Sequence, residues 1–250
     1  MSKTVRTILA TVGAILLVAV AGFLLWALWI APPMPEATAA LVSDASVTVV
    51  DANRSIVFSP ADATPTCGLY FYPGGRVNPR AYAPALRAIA SAGFQVVTES
   101  MPLNLAILDI NAAADAADDF PNVARWAVGG HSLGGSVATF FAHDNPASVN
   151  GVVLWAAYAT ASRPLADRTD LTVVSIAGSE DGLATPAKID AARPFLPTTA
   201  TFVEIAGGNH AQFGWYGEQR GDNPATITRA EQTAQIVAAT VASLKEMCSK

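Results

Sequence analysis

The sequence predicts an α/β fold, a mostly parallel sheet covered by helices on both faces, preceded by one transmembrane helix. Three observations predict it. Residues 8–31 carry neither charge nor proline; from Ser46 onward short apolar runs alternate with helical patterns; and Gly130-His131-Ser132-Leu133-Gly134 stands between a run that reads as a strand and one that reads as a helix. A chain of 250 residues has room for one sizeable core. One globular unit plus an anchor is therefore expected, divided as anchor 1–31, linker 32–45 and folded domain 46–250.

The apolar run from Ile8 to Ala31 would extend about 36 Å as a helix, enough to cross a hydrocarbon core of about 30 Å with some tilt. Trp26 and Trp29 fall where an interfacial aromatic belt would lie, and Pro32, Pro33 and Pro35 stop the helix as it leaves the lipid. Lys3 and Arg6 precede the run and Glu36 and Asp44 follow it, so the positive-inside rule puts the N-terminus in the cytoplasm and the domain outside a cell membrane. A cleaved secretory signal, with small residues near Ala37 to Ala40, is the alternative, and it too exports the domain as a secreted protein.

Beyond a Pro/Ala/Thr-rich linker, Ser46–Val50 and Ser55–Phe58 read as a hairpin, Gly68–Tyr72 as a strand, Asn78–Ala92 as an amphipathic helix and Gln95–Thr98 as a strand. A helix around Leu105–Asp118, strand Arg125–Gly129, helix Gly134–His143, strands Gly151–Ala156 and Leu171–Ala177, a short helix from Pro186, strand Thr201–Ile205 and a last helix Arg229–Glu246 complete the alternation. Strands and helices alternating at this length imply right-handed crossovers and a sheet buried on both faces. Ligands of such sheets bind beyond the carboxyl ends of the strands, so the chemistry is expected in the loops there.

Composition removes several function classes. The net charge is −5 and no basic run occurs; such a surface repels phosphate backbones, which argues against a nucleic-acid partner. The only cysteines are Cys67 and Cys248 and the only histidines are His131, His143 and His210. None has zinc-ligand spacing and no carboxylate cluster stands in for one, so no metal is expected. In an oxidising compartment a Cys67–Cys248 disulfide becomes possible, because the last helix would run back toward the N-terminal ends of the strands where Cys67 sits. Two free thiols are the alternative.

The Gly130–Gly134 pentapeptide matches G-x-S-x-G at the strand-to-helix junction that this motif requires. Ser132 at the tip of such a turn is exposed, with the helix N-terminus aimed at any developing anion. A serine needs a base. His131 is its chain neighbour, aimed elsewhere by the tight turn and suited to packing; His143 lies about 16 Å along the following helix. His210, in the loop Gly207-Gly208-Asn209-His210 after the last strand, is the candidate base. The group orienting it should come between serine and histidine in the chain. Asp181, in Gly178-Ser179-Glu180-Asp181-Gly182 after a strand, fits best, with Glu180 as runner-up. Tyr72-Pro73-Gly74-Gly75-Arg76 closes the third strand, so the N–H groups of Gly75 and Leu133 are the candidate oxyanion donors. Arg76 is a solvent-exposed arginine or a contact for an anionic substrate group. Phe213, Trp215 and Tyr216 either line an acyl pocket or pack their loop.

With these pieces in order, the sequence resembles the α/β-hydrolase superfamily, most closely its small lid-less bacterial members grouped with dienelactone-hydrolase-like and esterase-like enzymes. The resemblance covers roughly Ser46 to Glu246. It rests on Tyr72-Pro73-Gly74-Gly75, Gly130 through Gly135, Gly178 through Asp181 and Gly208-Asn209-His210, and it implies an eight-stranded sheet, a Ser/Asp/His triad, an acyl-enzyme intermediate and no cofactor. Pro73 stands where many relatives have a histidine before the oxyanion glycine. Residues 157–170 are too few for the cap domain that many relatives insert there, so an open site is expected, suited to small acyl esters or the exposed end of a lipid or cell-envelope ester. Hydrolysis of a carboxylic ester or thioester is the leading reading. Acyl transfer to another hydroxyl through the same intermediate, or a binding protein that lost turnover, are the alternatives; the oligomeric state is open.

Overall fold

The computed structural model describes residues 2–250, apart from the side chains of residues 116 and 117. Helix α1 (Lys3–Leu28) carries no charge after Arg6, and residues 2–26 are exposed on every side. It is long and apolar enough to cross a membrane. It ends three residues before the expected Ala31, because Trp29 turns extended and its carbonyl oxygen is taken up by the folded domain. The chain then runs along that domain, with a short helix α2 (Pro35–Ala39) whose Ala37 is fully buried.

Eight strands follow: β1 (Val47–Ala52), β2 (Ser55–Pro60), β3 (Cys67–Tyr72), β4 (Gln95–Glu99), β5 (Arg125–His131), β6 (Gly151–Trp155), β7 (Thr172–Gly178) and β8 (Thr201–Ile205). They form one sheet in the order β1-β2-β4-β3-β5-β6-β7-β8, antiparallel only where β2 meets β1 and β4. Strands β3, β6 and β7 are runs buried on both sides, as parallel strands covered by helices must be, whereas the edge strand β8 leaves Thr201 and Glu204 exposed. In β3, Leu69 and Phe71 enter one core while Tyr70 and Tyr72 enter the other. The first core is closed by α3 (Ala83–Ser91), α6 (Pro186–Ala192) and α7 (Arg229–Ser249), the second by α4 (Ala112–Asp119) and α5 (Leu133–Asp144). Residues 156–171, between β6 and β7, carry no helix or strand.

Two helix expectations need correction. The segment Asn78–Ala92 begins as a 3₁₀ turn at Pro79–Tyr82, where the Asn78 side chain caps the Arg80 N–H at 3.0 Å, and becomes α-helical only at Ala83. Instead of one helix from Leu105, two 3₁₀ turns at Pro102–Asn104 and Ala106–Leu108 precede α4. Leu105 (φ −128°, ψ 108°) and Asp109 (φ −148°, ψ 64°) leave the helical region, which a continuous right-handed helix excludes.

Cys67, at the start of β3, and Cys248, at the end of α7, are joined in a disulfide with Cα atoms 6.2 Å apart. It staples the last helix to the sheet edge remote from the loops that carry the candidate site. With the cysteines 181 positions apart in the chain, restricting the unfolded chain contributes up to about 5 kcal/mol on the loop-entropy model. Urea unfolding of the Cys67→Ser/Cys248→Ser variant is expected to show a loss of several kcal/mol; an unchanged midpoint would contradict this.

Candidate active site

The strand order reverses between β3 and β5, so the loops that leave these two strands diverge and open a crevice. Gly75 lies in one loop and Ser132 in the other. Ser132 has φ 53° and ψ −121°, a left-handed conformation that costs a non-glycine residue about 1–3 kcal/mol. Its surroundings hold it there. The Ser132 N–H donates to the Trp155 carbonyl at 3.0 Å, and its carbonyl accepts the Ser136 N–H at 3.2 Å as α5 begins. A Cβ on Gly134 would collide with the carbonyl oxygens of Tyr72 and Pro73, and one on Gly130 would sit 2.6 Å from those of Gly134 and Tyr72. The turn therefore exists only because both positions are glycine.

Asp181 follows β7 and His210 follows β8, and the two side chains are fully buried with Nδ1 of His210 2.8 Å from Oδ2 of Asp181. The other carboxylate oxygen accepts the N–H groups of Leu183 and Ala184 at 2.8 and 2.7 Å. The pair thus leaves Nε2 as the ring nitrogen of His210 that the carboxylate does not engage. Nε2 is buried without a hydrogen-bond partner among the described residues. Ser132 and His210 line one cavity of about 230 Å³ together with Leu133, Tyr158, Leu183 and Ala184. The two residues thus share this cavity, with no hydrogen bond between the serine hydroxyl and Nε2. Glu180, the runner-up, is engaged with the Ser179 hydroxyl at 3.2 Å and does not touch His210.

A Cβ placed on Gly75 would lie 3.6 Å from the Leu133 Cβ, so the two candidate oxyanion donors are neighbours across the crevice. Neither N–H has a hydrogen-bond partner among the described residues. The Gly75 loop is pinned from below: the Gly74 N–H donates to the Tyr82 hydroxyl at 3.0 Å, which in turn bonds Nδ1 of His131 at 2.9 Å. His131 stacks on Phe213 and lies 4.5 Å, centroid to centroid, from the His210 ring. Burial, reinforced by the neighbouring His210 and opposed by the His210 backbone, holds the His131 pKa well below the usual range. His131 is neutral and cannot repel a positive charge on His210. Burial likewise raises Tyr82 far above an ordinary phenol, so its hydroxyl stays protonated.

Three residues that no motif marks hold the loop of His210. Gln232 on α7, fully buried, accepts the Asn209 N–H at 3.0 Å and donates to the Asn209 carbonyl at 2.8 Å. Asp222 accepts from Gly182 at 3.0 Å and from Ala211 at 2.8 Å, tying the Asp181 and His210 loops together. Arg229 donates to the carbonyls of Ala211, Gly214 and Gly217. Their signal is invisible in one sequence because each lies 11 to 40 residues from its partner.

Other sequence-predicted residues lie elsewhere. Phe213, Trp215 and Tyr216 do not line the cavity at Ser132. Phe213 and Tyr216 are buried beside His131, and the Trp215 indole bonds Thr233 on α7; they pack the loop because Arg229 folds it back. Arg76 meets neither solvent alone nor the cavity: its guanidinium stacks over Trp26 and bonds the Trp29 carbonyl. His143 is exposed and bonds the Pro164 carbonyl.

Comparison with known proteins agrees with this architecture. Residues 68–234 match the model of an alpha/beta hydrolase family. No curated protein matches the sequence. Among solved structures, an esterase from Pyrobaculum calidifontis superposes with a TM-score of 0.58 at 17% identity, covering 91% of this chain and 92% of its own. The esterase domain of a Rhodothermus marinus protein gives 0.58 at 15% identity, covering 78% and 96%. A predicted CIB-like hydrolase from Thermoplasma acidophilum gives 0.54 at 17% identity, covering 80% and 97%. Identities this low speak to the fold alone, whereas the family match spans the sheet from β3, the Ser132 turn, Asp181 and His210: the chain belongs to the alpha/beta hydrolase family.

Proposed function

We propose that the protein is a serine hydrolase that cleaves carboxylic ester or thioester bonds through an acyl-enzyme on Ser132. The observation that carries this reading is the buried Asp181–His210 pair, with His210 lining the same cavity as Ser132 and its Nε2 without a hydrogen-bond partner among the described residues. Nε2 removes the hydroxyl proton as Oγ attacks the acyl carbon, and Asp181 stabilises the resulting imidazolium. The N–H groups of Gly75 and Leu133 receive the negative oxygen, with the dipole of α5 behind Leu133. The protonated His210 then gives its proton to the leaving alcohol or thiol, and a water activated by the same nitrogen releases the acid. Hydroxyl and imidazole in such sites often align only with substrate bound, so their unbonded state here is compatible with the mechanism.

The cavity holds a short acyl group, and the esterase descriptions of two superposed structures favour an ester as substrate. Mixing the protein with p-nitrophenyl acetate is expected to release a nitrophenolate burst equal to the enzyme concentration, followed by slower turnover. Absence of both burst and turnover with short-chain esters and thioesters would overturn the proposal. Tyr82→Phe removes the hydroxyl that receives the Gly74 N–H and leaves that donor buried. It is expected to lower kcat about tenfold with little change in KM, since a displaced oxyanion donor weakens the transition state more than the ground state. A wild-type kcat would show that the Gly75 loop holds its shape unaided.

The same reading tethers the enzyme by α1, with the domain outside the cytoplasm. Lys3 and Arg6 before the helix favour that orientation, and the Cys67–Cys248 disulfide favours an oxidising compartment.

A further inference from the structure

The end of α1 meets the folded domain at the same sheet edge that carries the candidate site. Its last turn packs on the Pro102–Asn104 turn that follows β4, burying Ala27 completely. The Ala27 carbonyl accepts from the Asn104 side chain at 2.9 Å, and the Trp29 carbonyl accepts from Arg76 at 2.9 Å. The Arg76 N–H in turn donates to the Asn104 carbonyl at 2.7 Å, closing a ring of contacts between the helix and the loops after β3 and β4. Two residues on, Ala31 pairs with Val77 as an isolated parallel bridge, and the Met34 N–H donates to the Trp215 carbonyl in the loop after His210. No slack remains between helix and domain. Arg76, Leu103 and Asn104, the residues around this junction, take φ of 60°, 50° and 56°.

Arg76 is also the chain neighbour of Gly75, and a Cβ on Gly75 would lie 3.8 Å from Leu105 in the same post-β4 loop. That loop continues into Ile107 and Leu108, which are 39% and 53% exposed. At the end of α1, which packs on the preceding Pro102–Asn104 turn, Leu28 and the extended Trp29 are 60% and 71% exposed. Apart from the helix and its surroundings, large exposed apolar side chains on the domain are few among the described residues. We propose that this edge rests on the bilayer surface, with Ile107 and Leu108 as a second apolar contact beside α1, so that the site takes a short-chain ester carried by an amphiphile resident in the same membrane. A spanning helix whose aromatic end sits at headgroup depth, joined without slack to the Gly75 loop, places the cavity mouth within the interfacial layer.

This proposal rests on the anchor and hydrolase readings, and its test separates them. The full chain is reconstituted in phosphatidylcholine vesicles with an environment-sensitive fluorophore at Leu108→Cys or, on the opposite edge before β8, at Thr199→Cys. Lipids carrying a nitroxide on the headgroup are expected to quench position 108 about threefold or more over position 199, as contact at interfacial depth requires. Equal quenching at both, or failure of the chain to float with the vesicles, would overturn the proposal without any appeal to activity. The Ile107→Glu/Leu108→Glu variant is then assayed on an acetyl ester of a dialkylglycerol in the bilayer and on p-nitrophenyl acetate in water. Loss of about tenfold or more on the first alone is expected from desolvating two carboxylates at the surface; equal loss on both, or no loss on either, would contradict it. A wild-type protein inert toward both esters, with position 108 still quenched, would sink the hydrolase reading and leave the orientation standing.

Discussion

Replacing Ser132 with alanine is expected to lower kcat by about a million-fold while leaving the fold intact. Alanine fits the space the serine occupies, and the backbone of residue 132 is held by the Trp155 carbonyl, the start of α5 and the two flanking glycines rather than by the hydroxyl. Relief of none of the backbone strain is anticipated, since alanine at φ 53° is no freer than serine. His210→Ala should fall nearly as far, and the double variant no further than either, because an unactivated hydroxyl and an imidazole without a hydroxyl are equally idle. Steady-state rates on p-nitrophenyl acetate and circular dichroism of the same samples check both halves. Losses that simply multiply in the double variant would mean that the two residues act independently.

Asp181→Asn is the second large effect, about ten-thousand-fold in kcat. The substitution keeps the shape of the side chain but gives it an N–H₂ where an acceptor is needed. If the amide oxygen keeps its bonds from Leu183 and Ala184, the NH₂ faces Nδ1 of His210 and forces the proton onto Nε2, where it cannot act as base. Glu180→Gln should stay within about twofold of wild type, because its side chain bonds Ser179 and not the imidazole. The reverse pattern, a wild-type rate for Asp181→Asn and collapse for Glu180→Gln, would identify Glu180 as the orienting acid.

The strands and most helices were legible in the sequence because parallel strands buried on both faces leave continuous apolar runs such as Val152–Trp155, with helical patterns between them. The stretch after β4 was not. Its apolar residues Leu105, Ile107 and Leu108 suggest a helix, yet Leu105 and Asp109 leave the helical region, and Asn104 just before them is bonded to Arg76 and Ala27, tertiary contacts of which local pattern holds no trace. At the candidate site, Ser132, Asp181 and His210 were singled out from chain order and from their position at strand ends, and the structure pairs Asp181 with His210 and puts His210 and Ser132 on one cavity. The residues that support them, Tyr82, Gln232, Asp222 and Arg229, act across long sequence separations, and a lone tyrosine or glutamine in a helix looks like any other. Arg76 shows the same limit from the other side: its neighbourhood to Gly75 suggested a substrate contact, whereas its guanidinium is taken by an element 47 residues earlier.

The claim on which the rest depends is that the Ser132 hydroxyl is a nucleophile activated by His210. An alkyl fluorophosphonate tests it directly, since a reactive serine oxygen forms a bond to phosphorus and expels fluoride. Intact-mass measurement is expected to show one adduct per chain in the wild type, mapped to the peptide containing Ser132, and none in His210→Ala over the same time. An unmodified wild-type protein, or an adduct on another residue, would contradict the account.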